Sequence, residues 1–392
     1  MAASVSTQQQ QGRCRILRIN PQQPSGKIQA EAGVTEFDDH NDVQFQCARV
    51  AVLRHTIKPR GFLLPSYTNA PLLAYAGDFC GPAIPGCAET FQSSQSQQGD
   101  ILALPAGAAH WAYNEGDQDL VLVVLQDTTN AVNQLDTERR IAGNPEGQSQ
   151  EQQQGQQGWE VQWGKNIFRG FDVKTLSEAF NANKETARKL QSEDDQRGHI
   201  KWDKGKATMA WKKPFAPPGS GRSSTTPPAR TSTTHRPQAG RFHTVNSLNL
   251  PILSFFRLSA ERGGLYKNAV FAPHWYVNAN GVMYVTRGEG RVQIVDHRGQ
   301  CVLDEQLSEG QVVVVPMNYA VVKQAGNNQG FEWVGFNTND NAMINTIAGR
   351  SSTFRGLPTS VVANALQISE DEARQLKFNR VETMIFSSDS RF

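Results

Sequence analysis

The stretch GDILALPAGAAHWAYN, residues 99–114, decides the fold. Its fixed positions are separated by five, one, two and three residues, and they are Gly99, Pro105, Gly107, His110 and Asn114. Short apolar runs lie inside this stretch and directly after it, and Gly, Pro, Asn or Asp residues bound them. Because these bounding residues favour tight turns, the pattern predicts short strands connected by turns.

Apolar runs of the same kind recur along the chain. They occupy residues 50–53, 101–104 and 120–125 in the first half and 282–285, 292–295, 312–315, 321–322 and 333–336 in the second. Strands this short and this frequent indicate an antiparallel sandwich or barrel. The segment RGEG at 287–290 lies between two of the runs, and we interpret it as a hairpin loop.

An internal repeat with an offset of 186 residues follows each set of strands. FRGF at 168–171 matches FRGL at 354–357, and KETARKL at 184–190 matches EDEARQL at 370–376. Both of the longer segments predict short helices, with Asn183 and Ser369 as their N-caps. Each half of the chain is therefore expected to end in a pair of helices.

The helix that precedes each of these segments carries an apolar pair. Leu176 and Phe180 in the first copy correspond to Val362 and Leu366 in the second, and both pairs are spaced i to i+4. This spacing places the two side chains on one face of a helix. We therefore expect all four side chains to be buried.

Composition divides the chain into two units and a linker. Residues 200–240 are rich in Pro, Gly, Ser and Thr with many basic residues, which is typical of a solvated linker. The Gln-rich segment at 148–157 lacks the apolar side chains needed to order it, and we interpret it as an exposed insertion. The expected units are residues 1–199, a first barrel with its helices, and residues 241–392, a second barrel with its helices.

Overall composition excludes several classes of function. The 392 residues carry a formal charge of only +2, which argues against a nucleic-acid or membrane-surface partner. No run of 18 apolar residues occurs, and from the polar start we expect that a signal peptide is not present in this chain. The chain contains 35 Gln, 24 Asn and 25 Arg, so its side chains are rich in nitrogen.

The spaced motif and the repeat together resemble the cupin superfamily, and in particular the bicupins. The motif at 99–114 matches the second conserved motif of the cupin jelly roll at every fixed position. A finer resemblance is to the 11S globulins, the legumin-type seed storage proteins. The family-like stretches lie at 31–39, 45–71, 135–147, 271–296 and 339–358. The resemblance implies a mainly β fold of two tandem jelly-roll barrels, each followed by a short helical domain.

Catalytic cupins bind a divalent ion with three His and one Glu, so the sequence can be tested for those ligands. In the first barrel His110 is present, but the expected HxH falls on Tyr67, Thr68 and Asn69. The expected carboxylate falls among residues 73–75, which are Leu, Ala and Tyr. One imidazole alone does not hold a divalent ion against water, so we expect no metal in this barrel.

The second barrel gives the same result. His274 lies near the first motif with Tyr276 two residues further on, and Val321 replaces the third His. We therefore interpret His110 and His274 as vestigial cupin positions that form hydrogen bonds inside partly buried barrel mouths. No GxSxG segment is present, and Cys80 and Cys87 lie in a Gly- and Pro-rich loop without a nearby His, so we expect no catalytic residue, no cofactor and no enzyme activity.

The cysteines are assigned through the resemblance. Cys14 and Cys47 match the intrachain disulfide of the 11S family, which implies oxidative folding in the secretory pathway. Cys87 matches the family Cys that links the two processed chains, so it is a possible interchain disulfide residue. Residues 200–245 contain neither the Asn-Gly cleavage site nor the partner Cys of the family, so cleavage stays open.

The resemblance implies a nitrogen and carbon reserve in seed protein storage vacuoles. It also implies self-association into homotrimers through the helical pairs and into homohexamers by stacking, with no nucleic-acid or membrane partner. Two alternatives stay open. One is a metal-dependent cupin enzyme of germin or oxalate-degrading type, and the other is a bicupin that binds a small ligand at a barrel mouth lined by Tyr67, His110 or His274.

Overall fold

The computed structural model describes residues 16–39, 42–77, 80–82, 95–97, 99–108, 110–128, 139–141, 167–191, 198–201, 232–236 and 239–387. The Gln-rich segment at 148–157 and most of the linker lie outside these residues, as do Cys14 and Cys87. Among the described helices, none is long and apolar enough to cross a membrane.

The first half forms two larger sheets, a two-stranded sheet of β6 and β7, and a helical pair. Its strands are β1 (Gly26–Ala30), β2 (Gly33–Phe37), β3 (Val50–Ile57), β4 (Gly61–Thr68), β5 (Leu72–Ala76), β6 (Cys80–Pro82), β7 (Gln95–Gln97), β8 (Ile101–Leu104), β9 (His110–Tyr113), β10 (Leu120–Asp127), β11 (Arg139–Ile141) and β12 (His199–Lys201). Its helices are α1 (Val43–Ala48), α2 (Val173–Ala179) and α3 (Lys184–Gln191), with a 3₁₀ turn at Ile167–Gly170. One sheet has the order β1-β2-β3-β10-β5-β8, and the other has the order β11-β4-β12 with β9 also paired to β4.

The second half repeats this arrangement in one continuous sheet. Its strands are β13 (Ser232–Arg236), β14 (Gly240–Val245), β15 (Ser259–Leu265), β16 (Ala269–Tyr276), β17 (Gly281–Val295), β18 (Cys301–Ser308), β19 (Val312–Val315), β20 (Ala320–Ala325), β21 (Phe331–Asn337), β22 (Ile344–Thr346) and β23 (Ile385–Ser387). Its helices are α4 (Leu253–Phe256), α5 (Thr353–Gly356), α6 (Thr359–Leu366) and α7 (Glu370–Phe378). The main path is β13-β14-β15-β21-β17-β20-β16-β22.

The long strand β17 belongs to both layers of the second barrel. It pairs with β21 and β19 through its first half and with β18 and β20 through its second. The predicted hairpin loop at 287–290 was therefore wrong, because these residues continue the strand through a bulge. The register shifts between Val285 and Arg287, and Gly288 has a positive φ of 74° that a glycine adopts without strain.

Three apolar clusters organise the core. One fills the first barrel and includes Leu53, Leu63 and Leu122. Another fills the second barrel and includes Phe271 and Trp333. The third joins the two barrels, and it contains side chains from both halves, such as Val52, Tyr75, Tyr284 and Val334.

A polar cluster crosses the same interface between the barrels. The Arg54 guanidinium donates to Glu36 Oε2 at 2.7 Å and to the Tyr284 hydroxyl of the second barrel at 3.1 Å. Asp38 lies beside them and is buried, and its Oδ1 has no hydrogen-bond partner. Burial raises the pKa of Asp38 to about 7, with Arg54 opposing that shift and Glu36 adding to it.

The helical pairs confirm the predicted caps but not the predicted burial. Ser369 and Glu372 form a capping box, and the side chain of Asn183 accepts from the Thr186 amide at 2.8 Å. Leu176 and Val362 are buried. Phe180 and Leu366 are exposed by 54% and 46%, because each lies at the end of its helix and faces outward.

Candidate functional site

The motif at 99–114 forms the turns around strands β8 and β9. Gly99 and Gly107 adopt positive φ angles of 92° and 76°, which L-residues with side chains rarely adopt. The Asn114 side-chain amide donates to the carbonyls of Ile57 and Gln118, both at 2.8 Å. These fixed positions are therefore required by the backbone, and only His110 of the motif is a candidate for chemistry.

His110 lies at the start of β9 and points into the first barrel. It is 6% exposed, and its register partner on β4 is Ser66. The His110 Nε2 lies 3.5 Å from Ser66 Oγ, and its Nδ1 lies 3.2 Å from the Ala108 carbonyl. Both ring nitrogens therefore have neutral oxygen neighbours from the protein.

The structure corrects the position of the expected HxH residues in this barrel. Ser66 and Thr68 are the buried residues at the end of β4, while Tyr67 and Asn69 are only half-buried. Because strand residues alternate between faces, Ser66 and Thr68 face His110 and the barrel interior. Neither position carries an imidazole.

His274 is the corresponding imidazole of the second barrel, but it lies on the neighbouring strand. It is fully buried on β16, its register partner on β20 is Val321, and its Nδ1 lies 2.8 Å from the Ala272 carbonyl. Burial lowers the pKa of His274 to about 3, and the positive charge of Lys323 adds to that shift. The imidazole is therefore neutral at physiological pH.

The imidazole of this facing pair lies on different strands in the two barrels. In the first barrel Ser66 on β4 faces His110 on β9. In the second barrel His274 on β16 faces Val321 on β20, and a register shift precedes the pair in both barrels. Each barrel thus has one imidazole at a pair of facing positions, with an uncharged side chain opposite it.

A buried charged cluster, which the sequence patterns above do not predict, lies near His274 in the second barrel. The Glu261 Oε1 accepts from the Tyr276 hydroxyl at 2.9 Å, from Trp333 Nε1 at 3.3 Å and from Lys323 Nζ at 3.5 Å. The side chains of Lys323 and Glu261 are 1% and 2% exposed. A charged residue in the interior of each strand, in LSAERGGL and AVVKQA, was the signal that could have identified this pair.

Aromatic rings surround the ammonium of Lys323. It lies 4.4 Å from the centre of the Trp333 ring and 5.4 Å from that of Phe271. Burial lowers the pKa of Lys323, and Glu261 opposes that shift. Burial also raises the pKa of Tyr276 well above its usual value, and Glu261 adds to this effect.

The first barrel has no equivalent of this cluster. Strand register places four uncharged residues at the positions of Glu261, Tyr276, Lys323 and Trp333, and they are Leu53, Thr68, Ala112 and Leu122. The interiors of the two barrels therefore differ chemically although their strands match. Among the described residues, no group of three His, Cys, Asp or Glu side chains could hold a metal ion.

Of the cysteines with a known bonding state, Cys47 is bonded and Cys301 is free. Cys47 is disulfide-bonded on α1 and packs against the core of the second barrel. Its expected partner, Cys14, lies outside the described residues, as does Cys87. Cys301 is an exposed free thiol at the start of β18.

Comparisons with known proteins agree with this architecture. The cupin family matches residues 19–144 and 226–374. An 11S globulin seed storage protein of Carya illinoinensis is 40% identical, and the match covers 97% of this chain and 91% of that protein.

Solved structures give the same result. The coconut allergen cocosin superposes with a TM-score of 0.84 at 38% identity, over 96% of this chain and all of that one. Procruciferin, the 11S globulin of Brassica napus, gives a TM-score of 0.84 at 37% identity, over 96% of this chain and 98% of that one.

Proposed function

Because the chain belongs to the 11S globulins, the seed storage proteins built from two cupin barrels, we propose that it is a catalytically inert reserve that self-associates into trimers and hexamers. Its role is storage, as in its relatives, and 35 Gln, 24 Asn and 25 Arg supply side-chain nitrogen. The expected destination is the protein storage vacuole of the seed, reached through the secretory pathway.

The observation that carries the proposed inertness is the pairing of each imidazole with an uncharged residue. His110 faces Ser66, and His274 faces Val321 beside the ammonium of Lys323. A cation at His274 would be repelled by that ammonium, and a single imidazole binds a divalent ion too weakly to retain it. The proposal therefore disfavours the germin-type metalloenzyme, and the filled interior of the second barrel disfavours a small-ligand site there.

Metal analysis of the purified chain tests this proposal. After dialysis without chelator, we expect far less than one Mn, Fe, Cu or Zn ion per chain by inductively coupled plasma mass spectrometry. A near-stoichiometric ion that is lost in His110→Ala or His274→Ala would contradict the proposed inertness.

Exposed apolar residues on the helical pairs support the proposed assembly. Phe180, Leu366 and Leu376 are exposed by 54%, 46% and 55% on corresponding helices of the two halves. Large side chains with this exposure on two similar surfaces favour contacts with another copy of the chain. Because each half of the chain carries one of these surfaces, copies of the chain can meet head to tail and close a ring.

Light scattering coupled to size-exclusion chromatography tests the assembly. We expect the unmodified chain to elute as a trimer or hexamer, and Phe180→Asp and Leu366→Asp to shift it towards single chains. Ser360→Asp, at an exposed polar position of α6, is the matched control and should leave the mass unchanged. A monomeric unmodified chain would contradict the proposed assembly.

The disulfides and the unit boundaries belong to the same proposal. We expect Cys14 to be the partner of Cys47, Cys87 to be a possible interchain residue, and the units to be 1–199, 200–240 and 241–392. Strand β12 pairs with the first barrel and β13 with the second, and residues 202–231 connect the two strands. Reducing and non-reducing electrophoresis with peptide mapping tests both points, and a Cys47 peptide linked to any other Cys would refute the pairing.

A further inference from the structure

Residues 16–22, which we name the N-terminal strap, complete the core of the second barrel. By sequence the strap precedes the first barrel, yet Ile16 and Ile19 are 2% and 1% exposed within the apolar cluster of the second. Leu17, which lies between them, is 67% exposed. The strap therefore directs two isoleucines into a barrel whose own strands begin more than 200 residues later.

Backbone hydrogen bonds fix the strap along two strand edges of that barrel. The Ile19 amide donates to the Val302 carbonyl of β18 at 2.9 Å. Gln22 and Val312 of β19 exchange two bonds, at 2.8 Å and 2.9 Å. This is the pattern by which an extended peptide adds to the edge of a sheet, with the backbone giving affinity and alternate side chains giving specificity.

Helix α1 of the first half holds the outer side of the strap. The Gln22 side-chain amide donates to Asp42 Oδ2 at 2.9 Å, and the Gln44 side-chain amide donates to the Asn20 carbonyl at 2.8 Å. The Gln44 Oε1 in turn accepts from the Val314 amide of β19 at 3.0 Å. One buried glutamine thus connects the strap, the first half and the second barrel.

We infer that the edge formed by β18 and β19 is a peptide-binding surface whose occupant is the strap of the same chain, and that the second barrel keeps its native core only while the strap is bound. Release would leave apolar cavities in place of Ile16 and Ile19 and would expose the backbone groups of Val302 and Val312. The contacts from Asp42 and Gln44 favour the chain's own strap, because both anchors lie within 25 residues of it. This inference does not depend on the storage role.

The first test is hydrogen exchange measured by mass spectrometry on the full chain. Ile19→Ser is expected to lower the protection factors of peptides containing Val302 and Val312 by roughly 100-fold, since a large buried side chain is lost. Leu17→Ser changes an exposed residue of the same segment and should leave that protection unchanged. Unaltered protection at Val302 and Val312 in Ile19→Ser would overturn the inference.

The second test avoids the case in which Ile19→Ser does not fold. A protease recognition sequence inserted between Gln23 and Pro24 allows the strap to be cut in the folded full chain. Cutting followed by reduction should release the strap and expose β18 and β19, and a synthetic peptide ILRINPQQP should restore protection. The same peptide with the second Ile replaced by Ser should fail.

Each other outcome of the second test counts against the inference. If β18 and β19 stay protected after the strap has left, the second barrel does not require it. If the uncut protein is found as dimers that exchange straps, the occupant is a second copy and the assignment to the same chain is wrong.

Discussion

His274 lies where protonation is opposed from several sides. Its ring is fully buried, the ammonium of Lys323 acts on it, and the Phe271 ring packs at 4.5 Å between centres. Its Nε2 has no hydrogen-bond partner, so no acceptor would stabilise the proton that gives the ring its charge. The neighbouring Glu261 accepts from Lys323, Tyr276 and Trp333 through Oε1, and its Oε2 has no hydrogen-bond partner.

The first prediction follows from the pKa of His274, which is about 3 in the folded chain against an ordinary 6.5. Between these values the unfolded chain binds a proton that the folded chain does not, so this group makes stability fall as pH falls from 6.5 towards 3. Between pH 7 and 5 its contribution to the free energy of unfolding changes by about 2 kcal/mol. His274→Gln should remove this contribution, so that the free energy of unfolding at pH 7 relative to pH 5 is about 2 kcal/mol lower than in the unmodified chain, as urea titrations would measure.

The exposed His297 provides the control for this prediction. His297→Gln is the same chemical change in the exposed turn after β17, and it should leave the free energy of unfolding at pH 7 nearly unchanged. An equal slope in His274→Gln and in the unmodified chain would show that His274 is not responsible.

The second prediction concerns Asp38 and has the opposite sign. Its folded pKa of about 7 lies above the ordinary 3.8, so the folded chain keeps a proton that the unfolded chain has lost. The stability that this group contributes is fully present below pH 3.8 and is lost as the pH rises to 7. Between pH 5 and 7 the loss lowers the free energy of unfolding by about 2 kcal/mol. Asp38→Asn should therefore stabilise the chain at pH 8 and change little at pH 4.

These two groups offset each other between pH 5 and 7. Compared with the unmodified chain, Asp38→Asn should therefore gain about 2 kcal/mol of stability at pH 7 relative to pH 5. Denaturant midpoints at four pH values measure this, and a rise in stability of the unmodified chain as large as that of Asp38→Asn would contradict the assignment to Asp38.

At the scale of elements, four strands of the second barrel each contribute one member of the charged cluster. Glu261 comes from β15, Tyr276 from β16, Lys323 from β20 and Trp333 from β21. A buried ion pair adds little net stability, but loss of one partner leaves an uncompensated charge in the interior. The pair therefore makes the packing of these four strands depend on charge balance.

The third prediction is a double-mutant cycle on this pair. Lys323→Met alone should cost roughly 3–5 kcal/mol, because Glu261 is then buried without a cation. Glu261→Gln with Lys323→Met should be markedly more stable than Lys323→Met, since the Gln oxygen still accepts from Tyr276 and Trp333. Chemical denaturation of the four proteins measures the coupling energy, and additive effects would contradict it.

Sequence patterns predicted most elements because apolar runs and turn residues reflect local geometry. The runs at 101–104 and 312–315 match β8 and β19 at both ends, and Ser369 caps α7 as expected. The segment at 287–290 was misinterpreted as a hairpin loop, because glycine occurs both in such loops and in bulges like the one at Gly288. Phe180 and Leu366 were expected to be buried because helical spacing identifies a face but not what covers it.

The site was predictable in part. His110 and His274 were identified as single imidazoles, and the structure places both in barrel interiors. Glu261 and Lys323 were missed because each is charged and lies 62 residues from the other. Their strands, β15 and β20, are not neighbours in the sheet, so the pair forms only when the sheet closes into a barrel, and a single sequence does not determine that.

At the scale of the whole molecule, the two barrels behave as one packed body. An apolar cluster with side chains from both halves lies between them, and Arg54 of one barrel donates to Tyr284 of the other. The corresponding contact places the Arg262 guanidinium 5.8 Å from the centre of the Tyr75 ring. Equivalent residues therefore meet from both sides of the interface, but only the Arg54–Tyr284 pair forms a hydrogen bond, while Arg262 lies over the ring of Tyr75.

The fourth prediction concerns this interface. Tyr284→Phe removes the hydroxyl that accepts from Arg54 and should lower the free energy of unfolding by about 1–2 kcal/mol, as expected for a partly buried bond to a charged group. Tyr266→Phe, at a tyrosine that is 45% exposed, is the control and should be neutral. Urea denaturation measures both, and equal effects would show that the Arg54 bond contributes nothing.

Because His110 and His274 each face an uncharged residue, one substitution in either barrel can place a second imidazole opposite the first. Directly opposed residues on antiparallel strands have Cβ atoms about 5 Å apart, so Ser66→His would set two rings face to face with His110, and Val321→His would do the same with His274. The first barrel is the better starting point, because its interior has no lysine at the position of Lys323. One substitution in this scaffold would thus begin the reconstruction of a chelating centre.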